Sequence, residues 1–296
     1  MSQTRFWKLN NISLENGGRW RTLWETASPG MAAPRLVETE TPTLDGATVQ
    51  PRVPLGVPEQ GFVLWVGDLD ERGRHGGYRQ RRANEAYLKR LLASTKYAPG
   101  TLTLVEEFTR RSHAMWDTPC VLSSSVEIEE LTIEECKLTF TLKLLTGQWA
   151  ETTTRYSECL SDPDDGRVML DGFSGGSAPV YPLWVIRGPV SNFYVIDSGT
   201  NQVTSWSGDS VEKGELLLVD AKTYRWGKTA LTSEWPLVEE SPEWDTKLII
   251  NPDLVSAAAA ITPDVGGKYY CRVLVDGVQI PADRVRVMCR GKKVVY

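Results

Sequence analysis

Ser112, His113 and Asp117 bring the three side-chain types of a serine-nucleophile triad into one short stretch. Triad members are assembled in space, and closeness in sequence does not make one. Gly208-Asp209-Ser210 is similar to a serine-protease fragment, but Val211 stands where glycine would follow. The letters of GxSxG fall once, at Gly172-Phe173-Ser174-Gly175-Gly176, inside a run of turn residues and without the strand-to-helix pattern of a nucleophile elbow. Carboxylates offer a second chemistry. Glu127, Glu129, Glu130, Glu134 and Glu135 crowd one region; Glu239, Glu240, Glu243 and Asp245 crowd another, beside Trp235 and Trp244. Glycoside hydrolysis needs two carboxyls spaced across a sugar cleft. Nothing in the spacing sets these acids on two sides of one, and they read as surface carboxylates. Asp162, Asp164, Asp165 and Gly166 begin like a calcium loop. The later oxygen ligands do not follow, and the stretch reads as an acidic turn.

Phosphate and metal signatures are absent as well. The chain has no GxxxxGK[ST], no GxGxxG between a strand and a helix, and no HExxH. Its five cysteines (Cys120, Cys136, Cys159, Cys271 and Cys289) form no CxxC pair, and His75 and His113 are the only histidines. Zinc needs clustered thiolates or imidazoles, and a disulfide framework wants an even, denser set. The thiols are therefore expected to be free and buried, in a protein made in a reducing cytoplasm. No catalytic residues, no metal and no cofactor are expected. The net charge of −5 supplies no general basic surface for gripping phosphates. No apolar run reaches signal-peptide or membrane-spanning length, so a soluble protein without membrane insertion is expected.

Strand patterns dominate the elements that would carry any site. Leu138, Phe140, Leu142 and Leu144 alternate with Lys137, Thr139, Thr141 and Lys143, which buries one face of a strand and wets the other. Residues 62–66 form a short apolar strand, and Leu216-Leu217-Leu218-Val219 reads as a buried one. From residue 269 the chain reads as a hairpin. Tyr269, Cys271, Val273 and Val275 share a face, Asp276-Gly277 makes the turn, and Val285, Val287 and Cys289 alternate with Arg284, Arg286 and Arg290. One helix is expected over 78–94, with Ala83, Tyr87, Leu88, Leu91 and Leu92 at helical spacing. Its Arg79, Arg81, Arg82, Lys89 and Arg90 are expected on a solvated face, and Pro99-Gly100 stops it. A second, short helix is expected at 255–260. The turn-rich stretch 161–182 separates the helix-bearing half from a half built of strands.

Three blocks of sequence are similar to a known family. The first is Pro42-Thr43-Leu44-Asp45-Gly46, followed by the strand at 62–66 and the helix at 78–94. The second is the strand at 138–145 ending at Trp149. The third runs from Pro179 through Trp184-Val185-Ile186-Arg187-Gly188-Pro189 and Phe193-Tyr194-Val195-Ile196-Asp197 to Lys213-Gly214-Glu215 and the apolar run ending at Asp220. In this order the chain resembles the distal tail proteins of long-tailed, siphovirus-type bacteriophages. The family-motif positions are Asp45, Gly46, Gly188, Pro189, Gly214 and Asp220.

The resemblance implies a mainly β chain. Residues 1–150 would form a β-barrel-like, ring-forming belt domain with one α-helix, and residues 151–296 a jelly-roll, galectin-like β-sandwich. It implies a structural virion protein, a homo-hexameric ring at the tail tip that joins the tail tube to the tail-tip hub and host-recognition parts. Tail tube, tape measure and tail-associated proteins would be its partners, with DNA only passing through the channel. The proline-rich segment 31–58 departs from the family and is expected to reach a neighbouring subunit. The alternative is a carbohydrate-binding or adhesion module of the tail tip, in which exposed tryptophans would stack on sugars.

Overall fold

A computed structural model describes residues 4–28, 38–40, 47–49, 56–109, 112–153, 155–158, 160–161, 167–170, 176–221, 225–230, 260–279, 285–289 and 292–293. The protein is mainly β, with a single helix among the described residues. Its chain divides into two compact units, one up to Thr152 and one from Thr153 to Lys293.

The first unit is organised by β1 (Thr4–Leu9), β2 (Ile12–Ser13) and β3 (Trp20–Thr22), and by a separate pair, β4 (Glu38–Glu40) and β5 (Ala47–Val49). Next come β6 (Glu59–Val66), α1 (Gly77–Tyr97), β7 (Gly100–Thr109), β8 (Ser112–Leu122), β9 (Glu127–Glu130), β10 (Cys136–Leu144) and β11 (Trp149–Glu151). Its main sheet runs β2-β1-β7-β8-β10-β6-β3, with β9 beside β10 and β11 beside β8. It curls into a half-barrel. The reason lies in alternation: β6 buries Gln60, Phe62, Leu64 and Val66, and β10 buries Cys136, Leu138, Phe140, Leu142 and Leu144. Their antiparallel register sets Phe62 opposite Phe140 and Leu64 opposite Leu138, so both apolar sets fall on one concave face. Trp7 packs edge-on against Phe62, Phe62 stacks on Phe140, and Trp20 stacks on Tyr87 of α1. Leu88 and Leu92 complete this core from the helix.

Helix α1 extends past the expected 78–94 at both ends and stops at Ala98, which is extended before Pro99. The composition of its inward stripe corrects the sequence reading. Arg81, Asn84, Glu85, Leu88, Leu92 and Thr95 are buried, whereas Ala83 is exposed. Arg81 is thus inside and not on a solvated basic face. In the segment 31–58, β4 and β5 pair antiparallel, with Glu38 opposite Val49. Asp45 and Gly46, between them, lie outside the described residues, as do 255–259 of the expected second helix.

The second unit contains β12 (Arg155–Glu158), β13 (Leu160–Ser161), β14 (Val168–Met169), β15 (Leu183–Arg187), β16 (Val190–Asp197) and β17 (Val203–Val211). It continues with β18 (Glu215–Asp220), β19 (Arg225–Ala230), β20 (Tyr270–Val275), β21 (Val278–Gln279) and β22 (Val285–Cys289). Two sheets, β12-β22-β15-β18-β19 and β13-β14-β20-β16-β17, share one core. Trp184, Ile186, Leu217, Val219, Val285 and Val287 line it from one sheet, and Val190, Phe193, Val195, Trp206, Cys271 and Val273 from the other. Val185, Leu216 and Leu218, on the other face of β15 and β18, are also buried, so this apolar run is covered on both sides.

The expected C-terminal hairpin is corrected here. Across Asp276 (φ 52°) and Gly277 (φ 77°), a two-residue turn with positive φ at both positions, the hairpin partner of β20 is the short β21. The strand β22 joins β12 and β15 in the opposite sheet. Alternation reports which side of a strand meets the core. It is silent on which of two facing sheets supplies that side.

Candidate functional site

The connection from β6 into α1 carries Asp68, Asp70, Glu71, Arg72, Arg74 and His75. Asp68 is buried, and its Oδ1 lies 2.9 Å from His75 Nδ1. An ionised carboxylate only accepts, so Nδ1 carries the proton in this pair. Asp68 Oδ2 also accepts from the Gly77 amide at 3.1 Å, satisfying a free donor at the start of the helix. Burial works against charge on Asp68. The His75 and Gly77 hydrogen bonds outweigh it and hold the carboxyl below its ordinary value. Asp70 accepts from the Arg74 amide at 2.9 Å and the Arg72 amide at 2.8 Å, and these bonds lower its titration too. Asn84, fully buried, donates to the Gly67 and Leu69 carbonyls and so ties the loop to the helix.

One turn along the helix, Arg81 is 1% exposed and pairs with Glu130 of β9. Its other neighbours are Glu85, 3.8 Å away, and the Cys136 thiol. Burial works against its charge, and Cys136 and Glu130 outweigh it, so the guanidinium titrates above its ordinary value. Glu85 further accepts from Lys89 at 2.7 Å and Arg82 at 2.9 Å. Burial raises the Cys136 thiol, although Arg81 pulls the other way. A thiol so held is a poor nucleophile, because the thiolate is the reactive form. The cluster fastens α1 to the β9–β10 pair, and it is a structural clamp.

The residues singled out for chemistry are dispersed. Ser112, His113 and Asp117 stand on the single strand β8, where the four-residue step from His113 to Asp117 spans about 13 Å, well beyond hydrogen-bond reach. Asp117 instead accepts from Thr103 at 2.7 Å. Ser210 donates to Glu212 at 3.0 Å. Glu127, Glu129 and Glu134 are exposed, and Glu130 is taken by Arg81. Asp162, Asp164, Asp165, Gly166, Trp235, Glu239, Glu240, Glu243, Trp244 and Asp245 lie outside the described residues. Among the described residues, no group of three or more His, Cys, Asp or Glu is arranged to hold a metal. No helix there is long and apolar enough to cross a membrane.

Of the family-motif positions, the fold brings Gly188, Pro189 and Gly214 together. The Gly188 amide donates to the Glu215 carbonyl at 3.0 Å. A Cβ on Gly188 would stand 2.2 Å from the Glu212 carbonyl oxygen, so only glycine lets the β15–β16 turn approach the β17–β18 turn. Gly214, at φ +94°, gives that second turn its left-handed residue. Asp220 closes the far end of β18, about 20 Å from Gly214 at strand rise. Sequence reasoning missed the Arg81 clamp. Its signal was present: Arg81, Glu85, Leu88, Leu92 and Thr95 step by four, three, four and three, which puts an ion pair in register with the apolar stripe. No protein-family model matches the chain, and no curated protein matches it.

Proposed function

We propose that this protein is a structural component of a long-tailed phage virion, the subunit of a six-membered ring at the distal end of the tail. The observation that supports it best is how the described parts of the three sequence blocks fold. They become a strand feeding a helix (β6 and α1), the last strands of a curled sheet (β10 and β11), and a turn-on-turn arrangement in which Gly188-Pro189 abuts Gly214. On this reading the first unit is the β-barrel-like belt and the second a jelly-roll, galectin-like sandwich. The ring joins the tail tube and tape measure proteins to the tail-tip hub, and DNA passes through its channel. The segment 31–58 reaches a neighbouring copy. The protein is made in the bacterial cytoplasm, is no enzyme, and holds no cofactor.

A sugar-binding adhesion module is less well supported. Trp7, Trp20, Trp116, Trp149, Trp184 and Trp206 are buried, and Trp24 alone of the described tryptophans is strongly exposed. A stacking platform needs ring faces open to solvent. Electron microscopy of the purified full chain tests the proposal. Rings of six are expected, and particles that stay monomeric at every concentration would defeat it. Removing residues 38–51 should leave a folded chain that no longer closes rings; normal assembly would assign ring closure to the sheet and helix surfaces alone.

A further inference from the structure

The outer side of α1 has a one-sided charge. The helix carries Arg79, Arg81, Arg82, Lys89, Arg90 and Lys96 against the single acid Glu85, in a chain whose net charge is −5. Glu85 is buried and already holds Arg82 and Lys89, while Arg81 points inward to Glu130. Arg79, Arg90 and Lys96 are exposed and have no carboxylate partner among the described residues. Between them the surface is low, formed by Ala83, Ala86 and Ala93.

The complementary chemistry stands on the β9–β10 turn. Residues 127–135 contain Glu127, Glu129, Glu130, Glu134 and Glu135 and no base. Glu130 is engaged by Arg81, and Glu129 lies 3.9 Å from Lys137. Glu127 and Glu134 are exposed without a cation among the described residues. At the turn itself Leu131 is 45% and Ile133 74% exposed, an apolar tip with an acidic rim. The turn is held in shape from within. The amides of Leu131 and Thr132 both donate to the Glu135 carbonyl, and the Glu134 amide donates to Thr132 Oγ1. Such a projection loses little conformational entropy on docking.

We propose that the outer face of α1 receives the β9–β10 turn of a second copy of this chain. The glutamates of the turn meet Arg79, Arg90 and Lys96, and Leu131 and Ile133 rest on the alanine surface between them. This rests on the ring reading above and names its contact. A closed ring repeats one heterologous interface, so every copy must carry both a patch and its complement. The two surfaces have opposite charge, and each would repel its own kind, which favours head-to-tail pairing over like-on-like contact.

Reversing charge on either side tests the contact in the full chain. R79E/R90E/K96E and E127K/E129K/E134K are each expected to weaken association at least about tenfold by sedimentation, because three attractions become repulsions. Circular dichroism should stay at wild type. A one-to-one mixture of the two variants restores assembly, since each then offers the other a complementary face. Recovery on mixing also guards against trivial misfolding. Rings that form unchanged in both variants, or a mixture that fails to recover, would overturn this contact while leaving the ring reading intact. A monomeric wild type would overturn both. A helix variant that still assembles but no longer retains a single-stranded oligonucleotide would reassign the face to nucleic acid.

Discussion

The two units close their cores in different ways. In the second, two sheets face each other, and strand alternation alone supplies both walls: Trp184 and Val287 from one side, Phe193 and Val273 from the other. Charge enters that unit where a strand ends. Asp197, fully buried, accepts from the amides and hydroxyls of Thr200 and Thr262. In the first unit a single curled sheet cannot cover its own concave face, and α1 must lie against it. The inward stripe of α1 is apolar where it meets the sheet interior, at Leu88 and Leu92, and ionic where it meets β9 and β10, at Arg81 and Glu85. A sandwich needs only a period of two. A half-barrel closed by a helix needs two periods to agree, and the ion cluster sits where they meet.

The largest expected effect comes from emptying either core. Phe62→Ala and Trp184→Ala, at 0% exposure, should each cost about 3–5 kcal/mol. If the units unfold separately, calorimetry will show each substitution moving a different transition. A single shared transition lowered by both would break the contrast between them.

Next in size, Arg81→Met releases half-exposed Glu130 to water and removes one cation from buried Glu85, which keeps Arg82 and Lys89, for an expected loss of about 2 kcal/mol in chemical denaturation. Replacing Arg81 and Glu85 together with Met and Leu should cost less than Arg81→Met alone, because a well-packed apolar pair leaves no charge uncompensated. A double variant worse than the single one would mean that the cluster is more than a clamp.

The two units should also differ in acid. The carboxyls of Asp68 and Asp70 titrate below their ordinary value in the folded chain. A depressed carboxyl stabilises the folded state above its unfolded value, near about 3.9, and that contribution is lost as pH falls through the lower folded value. The β6–α1 connection should therefore gain amide exchange below about pH 4 before the second unit does. Equal exchange in D68N and wild type would refute this.

Smaller still are the effects at the thiols and the surface. Burial pushes the Cys120 thiol up to about 12. Cys120, Cys136 and Cys271 are free and buried, and should resist alkylation at pH 8 until denaturant is added. Trp24, at 89% exposure, should be replaceable by alanine with a stability change within about 0.5 kcal/mol, in contrast to the buried tryptophans of both cores.

Local patterns determined much on their own. Alternation at 138–144 and the apolar run at 216–219 specified buried strands, because side-chain direction follows from backbone geometry over a few residues. The 3.6-residue period and Pro99 specified the helix. Positive φ at Asp276 and Gly277 was legible in the residue types. Tertiary structure decided what local pattern leaves degenerate. It sent β22 to the sheet opposite β20, since an apolar face fits either wall of a core. It separated His113 from Asp117 along one strand, since only packing can bring distant residues into reach. It also drew Arg81 inside, because the compensating Glu130 and Cys136 lie far along the chain and meet the helix only when the sheet has curled.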